Sequence, residues 1–317
     1  MSASILVPIA ITDAMLGAGT TVPEPDTAAG EVAWVSGATY ALGDRRIRAT
    51  THRVYECVQP HTGRTALPEA DGKFWLDAGP TNRWAPFDVY VNTGAAGTTS
   101  MTYVLTPPFF NALRLYGLVG TGIVITLRDS PGGAVIYRYP DSGTARLTEP
   151  PTGYWDYYFG RRRALRKLVL NDLPVRPAAE LTITITAAAG QPVGVGMIAL
   201  GDARALFQVR EGEVGGTLAG SQAEPTTTAY IKVEPDGTIK LRKGLGATNM
   251  RITVALPRSQ MGAALATIEE VLDVPVSVLA TRAAGFEALN TFGLVTASGT
   301  YDSNQRGTLV INVKGIV

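Results

Sequence analysis

Two stretches of the chain gather residue types able to bind or react. His52, Cys57 and His61 fall within ten residues, and imidazole and thiolate are the usual zinc ligands. A structural zinc site takes four ligands, however, and with a single cysteine the paired C-x-x-C element is missing, so the spacing predicts no metal. In a strand, Cys57 faces inward as a small apolar side chain. The second stretch is Gly153-Tyr-Trp-Asp-Tyr-Tyr-Phe-Gly160, followed by Arg161-Arg162-Arg163. Aromatic rings and arginine are enriched at binding hot spots and can stack on sugars or bases. Tyr154, Tyr158 and Arg161 are its candidate partner-binding residues. Alternation of Trp155, Tyr157 and Phe159 with Tyr154, Asp156 and Tyr158 reads as a core strand of a sandwich, with one ring face left for a partner.

No recognisable catalytic constellation accompanies these stretches. The sequence has no G-x-S-x-G, no H-E-x-x-H and no cysteine–histidine spacing of a known nucleophile. Gly194–Gly201 fits neither G-x-G-x-x-G nor a phosphate-binding loop and reads as a strand of small residues. Two histidines leave little near-neutral acid–base chemistry. Nothing selects a pair among the 27 acidic residues for glycoside hydrolysis, which depends on three-dimensional separation. The reading is a protein that is not an enzyme, with no catalytic residues, no metal and no cofactor.

Bulk properties narrow the partners. A formal charge of +1 argues against nucleic acid, and makes Arg161–Lys167 a weak nucleic-acid patch. The apolar run Ile5–Ile11 has no basic flank and is too short for a signal sequence or a membrane span, which points to synthesis in the cytoplasm without membrane insertion. Thirty-five glycines and twenty prolines suit short strands joined by turns.

The elements that must position these residues are accordingly mostly strands, in a mainly β, multi-domain chain. Residues 1–30 read as an apolar strand followed by a Gly/Thr/Pro/Ala linker or arm. Such a tethered strand is expected to pair with a sheet far along the chain or on another subunit rather than on the adjacent module, the alternative being that it returns to its own sandwich. Residues 31–80, with Trp34, Tyr40 and Trp75 and both histidines, form a small β module. Residues 81–215 read as a β-sandwich of jelly-roll type: Gly122–Arg128, a turn at Ser130-Pro131-Gly132-Gly133, then Ala134–Tyr139, with Leu181, Ile183 and Ile185 alternating with threonine. Residues 216–317 read as an α+β domain with one helix on an antiparallel sheet. There Ile231 and Val233 pair with Ile239 and Leu241 across a turn at Asp236-Gly237. Ser259 is placed to cap a helix whose apolar face is Met261, Ala264, Leu265, Ile268 and Leu272. Strands follow at Val274–Leu279, Phe292–Ala297 and Thr308–Val317.

Residues 34–75 contain W-V-S-G-A-T-Y-A-L-G-D, Ile47, H-R-V-Y-E-C-V-Q-P-H, Pro68 and Phe74-Trp75. This pattern resembles small chitin-binding-type carbohydrate modules at Trp34, Tyr40, Gly43, Asp44, Ile47, Tyr55, Cys57, His61 and Trp75. The following Gly79-Pro80-Thr81-Asn82-Arg83-Trp84-Ala85-Pro86-Phe87-Asp88 makes the combination similar to a group of tailed-phage virion proteins. The resemblance implies a tail-tip, baseplate or fibre-associated location in the virion. It also implies other tail proteins and copies of the chain in a symmetric ring as partners, with host cell-surface polysaccharide as a ligand. Trp34, Tyr40, Tyr55 and Trp75 are the candidate carbohydrate-binding residues. Each ring has two readings, because a module this small also needs aromatics for its own core; Asp44 is assigned to closing its turn. The rival to a structural tail protein is a glycan-processing enzyme or its sugar-targeting subunit.

Overall fold

Leu181, Ile183 and Ile185 are buried on one side of the strand Glu180–Thr186, as alternation with threonine requires. In the structure, a computed structural model that describes every residue except 1, 152, 212, 236, 284, 285 and 317, this strand lies between Gly122–Arg128 and Ser100–Leu105. Registry places Ile125 opposite Ile183 and Ile183 opposite Tyr103, so buried side chains of the three strands form continuous rows. Val135–Tyr139 extends the sheet after a turn closed by Gly133 N–H to Ser130 O at 2.9 Å. Paired strands Ala95–Thr98 with Pro192–Val195, and Ala112–Tyr116 with Lys167–Leu170, complete a sandwich-like arrangement. The small-residue stretch at 194–201 is buried, but it belongs to two strands rather than one, Pro192–Val195 and Met197–Ala205, separated at Gly196.

Contacts divide the chain into two units. One is residues 10–198, the intervening unit; the other joins residues 1–9 to 199–317, the split unit. This is coarser than the four segments expected from sequence, and the later boundary lies at 198 rather than 215. The cause is the apolar strand Ser4–Pro8, which pairs antiparallel with Gly201–Ala205 on one side and Ser277–Leu279 on the other. The N-terminal strand thus completes a sheet far along its own chain, and it is an inner strand, with Ala3 and Ile5 fully buried.

Residues after that strand are not a free linker, contrary to the sequence expectation. Met15–Thr21 runs along the edge strand Ser100–Leu105. Gly17 N–H donates to Val104 O at 2.7 Å and Thr21 N–H to Thr102 O at 2.9 Å, while Thr106 N–H returns to Met15 O at 2.8 Å. Thr20 and Thr21 hydroxyls accept from Val104 N–H and Thr102 N–H. The small residues permit the approach: a Cβ on Gly17 or Gly19 would lie 2.8 or 2.9 Å from the Val104 methyls. A low-complexity stretch therefore covers a sheet edge that would otherwise offer unpaired backbone groups.

Residues 39–80 of the intervening unit form the small module. Arg45–Arg48, Arg53–Cys57 and Trp75–Pro80 make a three-stranded sheet, and Thr39–Tyr40 pairs with His61–Thr62. Alternation in Arg53–Cys57 turns Tyr55 and Cys57 inward. Gly43, at φ 86°, makes the turn that Asp44 closes by accepting Ala41 N–H at 3.0 Å, the role expected of Asp44.

In the split unit, one helix, Arg258–Glu269, packs on an antiparallel sheet whose strands include Val276–Leu279, Asn290–Tyr301, Arg306–Gly315 and Gly246–Pro257. Met261, Ala264 and Ile268 of the helix meet Ile252, Val254, Leu309 and Ile311 of the sheet. Ser259 is not the cap. Pro257 holds that position, and Ser259 lies inside the first turn, where its hydroxyl donates to Glu213 at 2.6 Å. Leu272 lies past the helix end and is exposed. The hairpin Tyr230–Val233 with Ile239–Arg242 has the expected registry, Ile231 opposite Leu241 and Val233 opposite Ile239. Of its Asp236-Gly237 turn, Asp236 lies outside the described residues, and Gly237 has φ 82°. Among the described residues no helix is long and apolar enough to cross a membrane.

Candidate functional site

Three of the four candidate sugar-binding rings are core. Tyr40, Tyr55 and Trp75 are 3%, 5% and 3% exposed and pack with Cys57. Tyr40 and Trp75 meet edge to face at 4.9 Å, a favoured aromatic geometry. The Tyr40 hydroxyl donates to Val35 O and accepts Val35 N–H; that of Tyr55 pairs with the Thr51 hydroxyl at 3.3 Å. No face of these rings is open to a pyranose, which must lie flat on an exposed ring. Trp34 is half-buried against the same cluster, with the Arg48 guanidinium 5.3 Å from its ring.

The three potential metal ligands are separated by the same packing. Cys57 Sγ donates to Gln59 O at 3.2 Å, and burial pushes its thiol up from the ordinary value. His61 lies among Tyr40, Phe74 and Trp75, with ring centroids 5.3–5.4 Å away. His52 belongs to a different cluster, described next. Among the described residues no group of three or more His, Cys, Asp or Glu is arranged to hold a metal ion.

The segment Gly79–Asp88 turns out to be a latch. Glu24, whose side chain is almost fully buried, accepts from the Thr81 hydroxyl at 2.7 Å and the Trp84 indole N–H at 3.2 Å. His52 adds a ring nitrogen to Glu24 at 2.9 Å and places the other 2.9 Å from Asp13. Asn82 is bound at both side-chain amide atoms and at its backbone N–H. Its amide N–H₂ donates to Asp26 and to Ala96 O, its side-chain oxygen accepts Ala96 N–H, and its backbone N–H donates to Glu31. Three acidic residues of the 13–31 stretch, Glu24, Asp26 and Glu31, thereby find donors in one short segment, which satisfies buried carboxylates that would otherwise be costly. The sequence shows the segment but not its partners, because nothing local marks which acids it meets.

The aromatic stretch departs most from expectation. Tyr154–Phe159 is a short helix rather than a strand of the core. Its rings are exposed, from 57% at Tyr157 to 73% at Trp155. Gly153 and Gly160 bracket it: Gly153 O accepts Tyr157 N–H at 2.8 Å and Gly160 N–H closes on Asp156 O at 3.1 Å. The rings of Tyr154 and Tyr158 meet tilted, with centroids 4.7 Å apart, as do those of Trp155 and Phe159 at 5.0 Å. These are neighbours four apart, the spacing that favours a helix, and they coincide with the alternation that suggested a strand.

The candidate residues Tyr154, Tyr158 and Arg161 are all solvent-exposed here. Tyr157 and Arg162, which the sequence reading did not select, line an open cleft of about 740 Å³ with Arg146, Glu149, Pro150 and Pro151. The Arg162 guanidinium lies 5.5 Å from the Tyr157 ring. The cleft floor is fixed where Leu165 N–H donates to Leu147 O and Glu149 N–H to Arg163 O, at 3.0 and 2.9 Å. Flat rings, a guanidinium fork and a cleft of this size suit an extended ligand with apolar faces and anionic substituents. Pro150-Pro151 ahead of the bracketed helix is the sequence signal that points to a non-strand segment.

Comparison with family models, with curated proteins and with solved structures returned no match.

Proposed function

We propose that the chain is a non-catalytic structural component of a phage tail tip, assembled with other tail proteins and copies of itself, that also holds host-surface polysaccharide. The sugar contact lies at residues 154–163, not on the rings of the small module. The observation that carries this is the exposure of Tyr154, Trp155, Tyr157, Tyr158 and Phe159 next to three consecutive arginines in the chain, with Tyr157 and Arg162 lining a cleft. Soluble proteins seldom leave such a patch uncovered without a ligand or partner for it. The virion assignment rests on the likeness of residues 34–88 to tailed-phage proteins. In this reading the module is a spacer whose rings hold its own core.

Rings such as Trp155 and Tyr157 stack on the apolar faces of sugars, and Arg161 and Arg162 take carboxylate or phosphate substituents by forked hydrogen bonds. Each contact is weak, and repetition around a tail raises the effective concentration of the rest.

Binding of the purified chain to host-envelope polysaccharide, measured by calorimetry, tests the reading. Trp155→Ala with Arg162→Ala is expected to weaken binding by about tenfold or more, a loss of at least about 1.4 kcal/mol. Melting should not change, because both side chains are exposed. Equal binding by the variant rejects the site. Saturable release of soluble saccharide by the wild-type chain replaces the reading with the glycan-processing one.

A further inference from the structure

Part of the cleft of about 740 Å³ is built by two antiparallel segments that meet in a bridge between Thr148 and Ala164. Opposed residues of such a pair share a face, and the next residue on each segment turns to the other face. Leu147 accordingly turns inward and is buried, whereas Thr148 and Ala164 line the cleft. Period two brings Arg146 to the cleft face from one segment and Arg162 from the other, and both line it. The segments run in opposite directions, so Arg162 lies across from Pro150 rather than from Arg146. The two arginines therefore leave the backbone at opposite ends of the paired stretch, roughly 13 Å apart along the strands.

Neither arginine is neutralised within the protein. Among the described residues Arg146 and Arg162 make no ion pair, and neither do Arg161 and Arg163. The Arg162 guanidinium donates only to Tyr157 O, at 3.4 Å. The small module is built differently: Arg45, Arg48, Arg53 and Arg64 each meet a carboxylate at 2.8–3.2 Å. Glu149 also lines the cleft, yet it pairs with neither arginine. An unpaired guanidinium fork matches a carboxylate or a phosphate. One such group is too small to engage both ends of the cleft.

Resting on the polysaccharide reading of this cleft, we propose that its ligand is a polyanion, a sugar chain with an acidic group in successive repeats. Arg146 holds one carboxylate or phosphate and Arg162 another, while the rings of residues 154–159 take the apolar sugar faces. Arg146 thereby sets the preference for acidic over neutral chains.

Calorimetry on the full chain tests this with two acidic polymers and their neutral counterparts. Polygalacturonate is paired with its methyl ester, and phosphomannan with mannan, so that whichever acidic polymer is preferred tells carboxylate from phosphate. The wild-type chain is expected to bind one acidic polymer about tenfold or more tightly than its neutral counterpart, and Arg146→Gln to lose that preference. Melting should not change, because Arg146 is exposed. Arg176→Gln removes the same charge from an exposed arginine outside the cleft and should bind like the wild type. Equal binding of acidic and neutral forms overturns the polyanion proposal and leaves the polysaccharide site in place. An Arg146→Gln variant that keeps the preference, or an Arg176→Gln variant that loses it equally, also overturns the proposal. A chain that binds neither acidic polymer overturns it too, and host-envelope polysaccharide then decides whether the site itself stands. Tighter binding to single-stranded poly-dT than to either acidic polymer overturns both.

Discussion

The imidazole of His52 lies against the indole of Trp84, ring centroids 4.2 Å apart and nearly parallel. It holds Glu24 on one ring nitrogen and Asp13 on the other. The backbone of His52 has φ 55°, a conformation unusual for a residue with a side chain, and the surrounding contacts hold it there. One stacked pair thus fixes two points of the 13–31 stretch onto the segment after the module.

Trp84→Ala removes both the stacking surface and an N–H donor to the buried Glu24. The expected cost is about 3–5 kcal/mol, with residues 13–31 becoming the first site of cleavage in limited proteolysis. Wild-type protection of that stretch in the variant would show that the latch does not depend on the pair.

Trp75→Ala should act on stability and not on ligand binding. Trp75 touches Tyr40 and His61 in the module core, and truncating a buried Trp costs about 3–5 kcal/mol. Melting followed by aromatic circular dichroism should fall, while polysaccharide binding by the remaining folded protein stays at the wild-type value. Lost binding at unchanged melting would return the sugar site to the module.

Ile5→Asp should unfold the split unit. Ile5 is fully buried in a strand with neighbours on both sides, and an unpaired carboxylate there costs several kcal/mol. Amide exchange is expected to lose protection in residues 250–256 and 309–313 but not in 122–128. Deleting residues 1–12 should have the same effect, so any assembly defect of that deletion is a folding defect. A folded C-terminal sheet in either variant would contradict the pairing.

Glu213 gives the split unit an acid limb. Hydrogen bonds from Ser259 and Gln260 hold its carboxyl below the ordinary glutamate value. A depressed carboxyl contributes stability that is present above the unfolded-state value, near pH 4 in order of magnitude, and lost as pH falls through the folded value. In Glu213→Gln the difference in melting temperature from wild type should therefore be largest near neutral pH and shrink below about pH 4. A difference independent of pH would assign the effect to shape rather than charge.

Strands with strong alternation were legible from sequence, because period two reports which side is buried wherever a sheet has one covered face. Leu181–Ile185 is legible for that reason, whereas the Ile231/Val233 hairpin follows from its alternation and the turn glycine although all four of its aliphatic side chains are exposed. The helix at 258–269 was legible from Met261, Ala264 and Ile268, but not its start, since Ser259 meets an acid 46 residues away. Tyr154–Phe159 was misread because two-residue alternation and four-residue ring pairing fit the same six residues. Of the candidate sugar rings, type and spacing could not separate core from surface: a small module needs buried rings in the positions a sugar site would use. Gly17 and Gly19 read as linker composition because the strand they approach lies at 100–105.

Within the split unit, Ile9 N–H donates to Leu200 O at 2.8 Å, so the two segments that flank residues 10–198 in sequence lie side by side. The intervening unit is in effect an insertion between two adjacent strands. During translation, Ser4–Pro8 is made before the whole insertion, and both of its sheet neighbours afterwards. Folding of the insertion gathers the two flanking segments, so pairing of the first strand then closes a short gap instead of a long loop, whose entropy cost grows with length. The order of events is built into the chain: the inserted unit can settle as it emerges, and the outer sheet is sealed last.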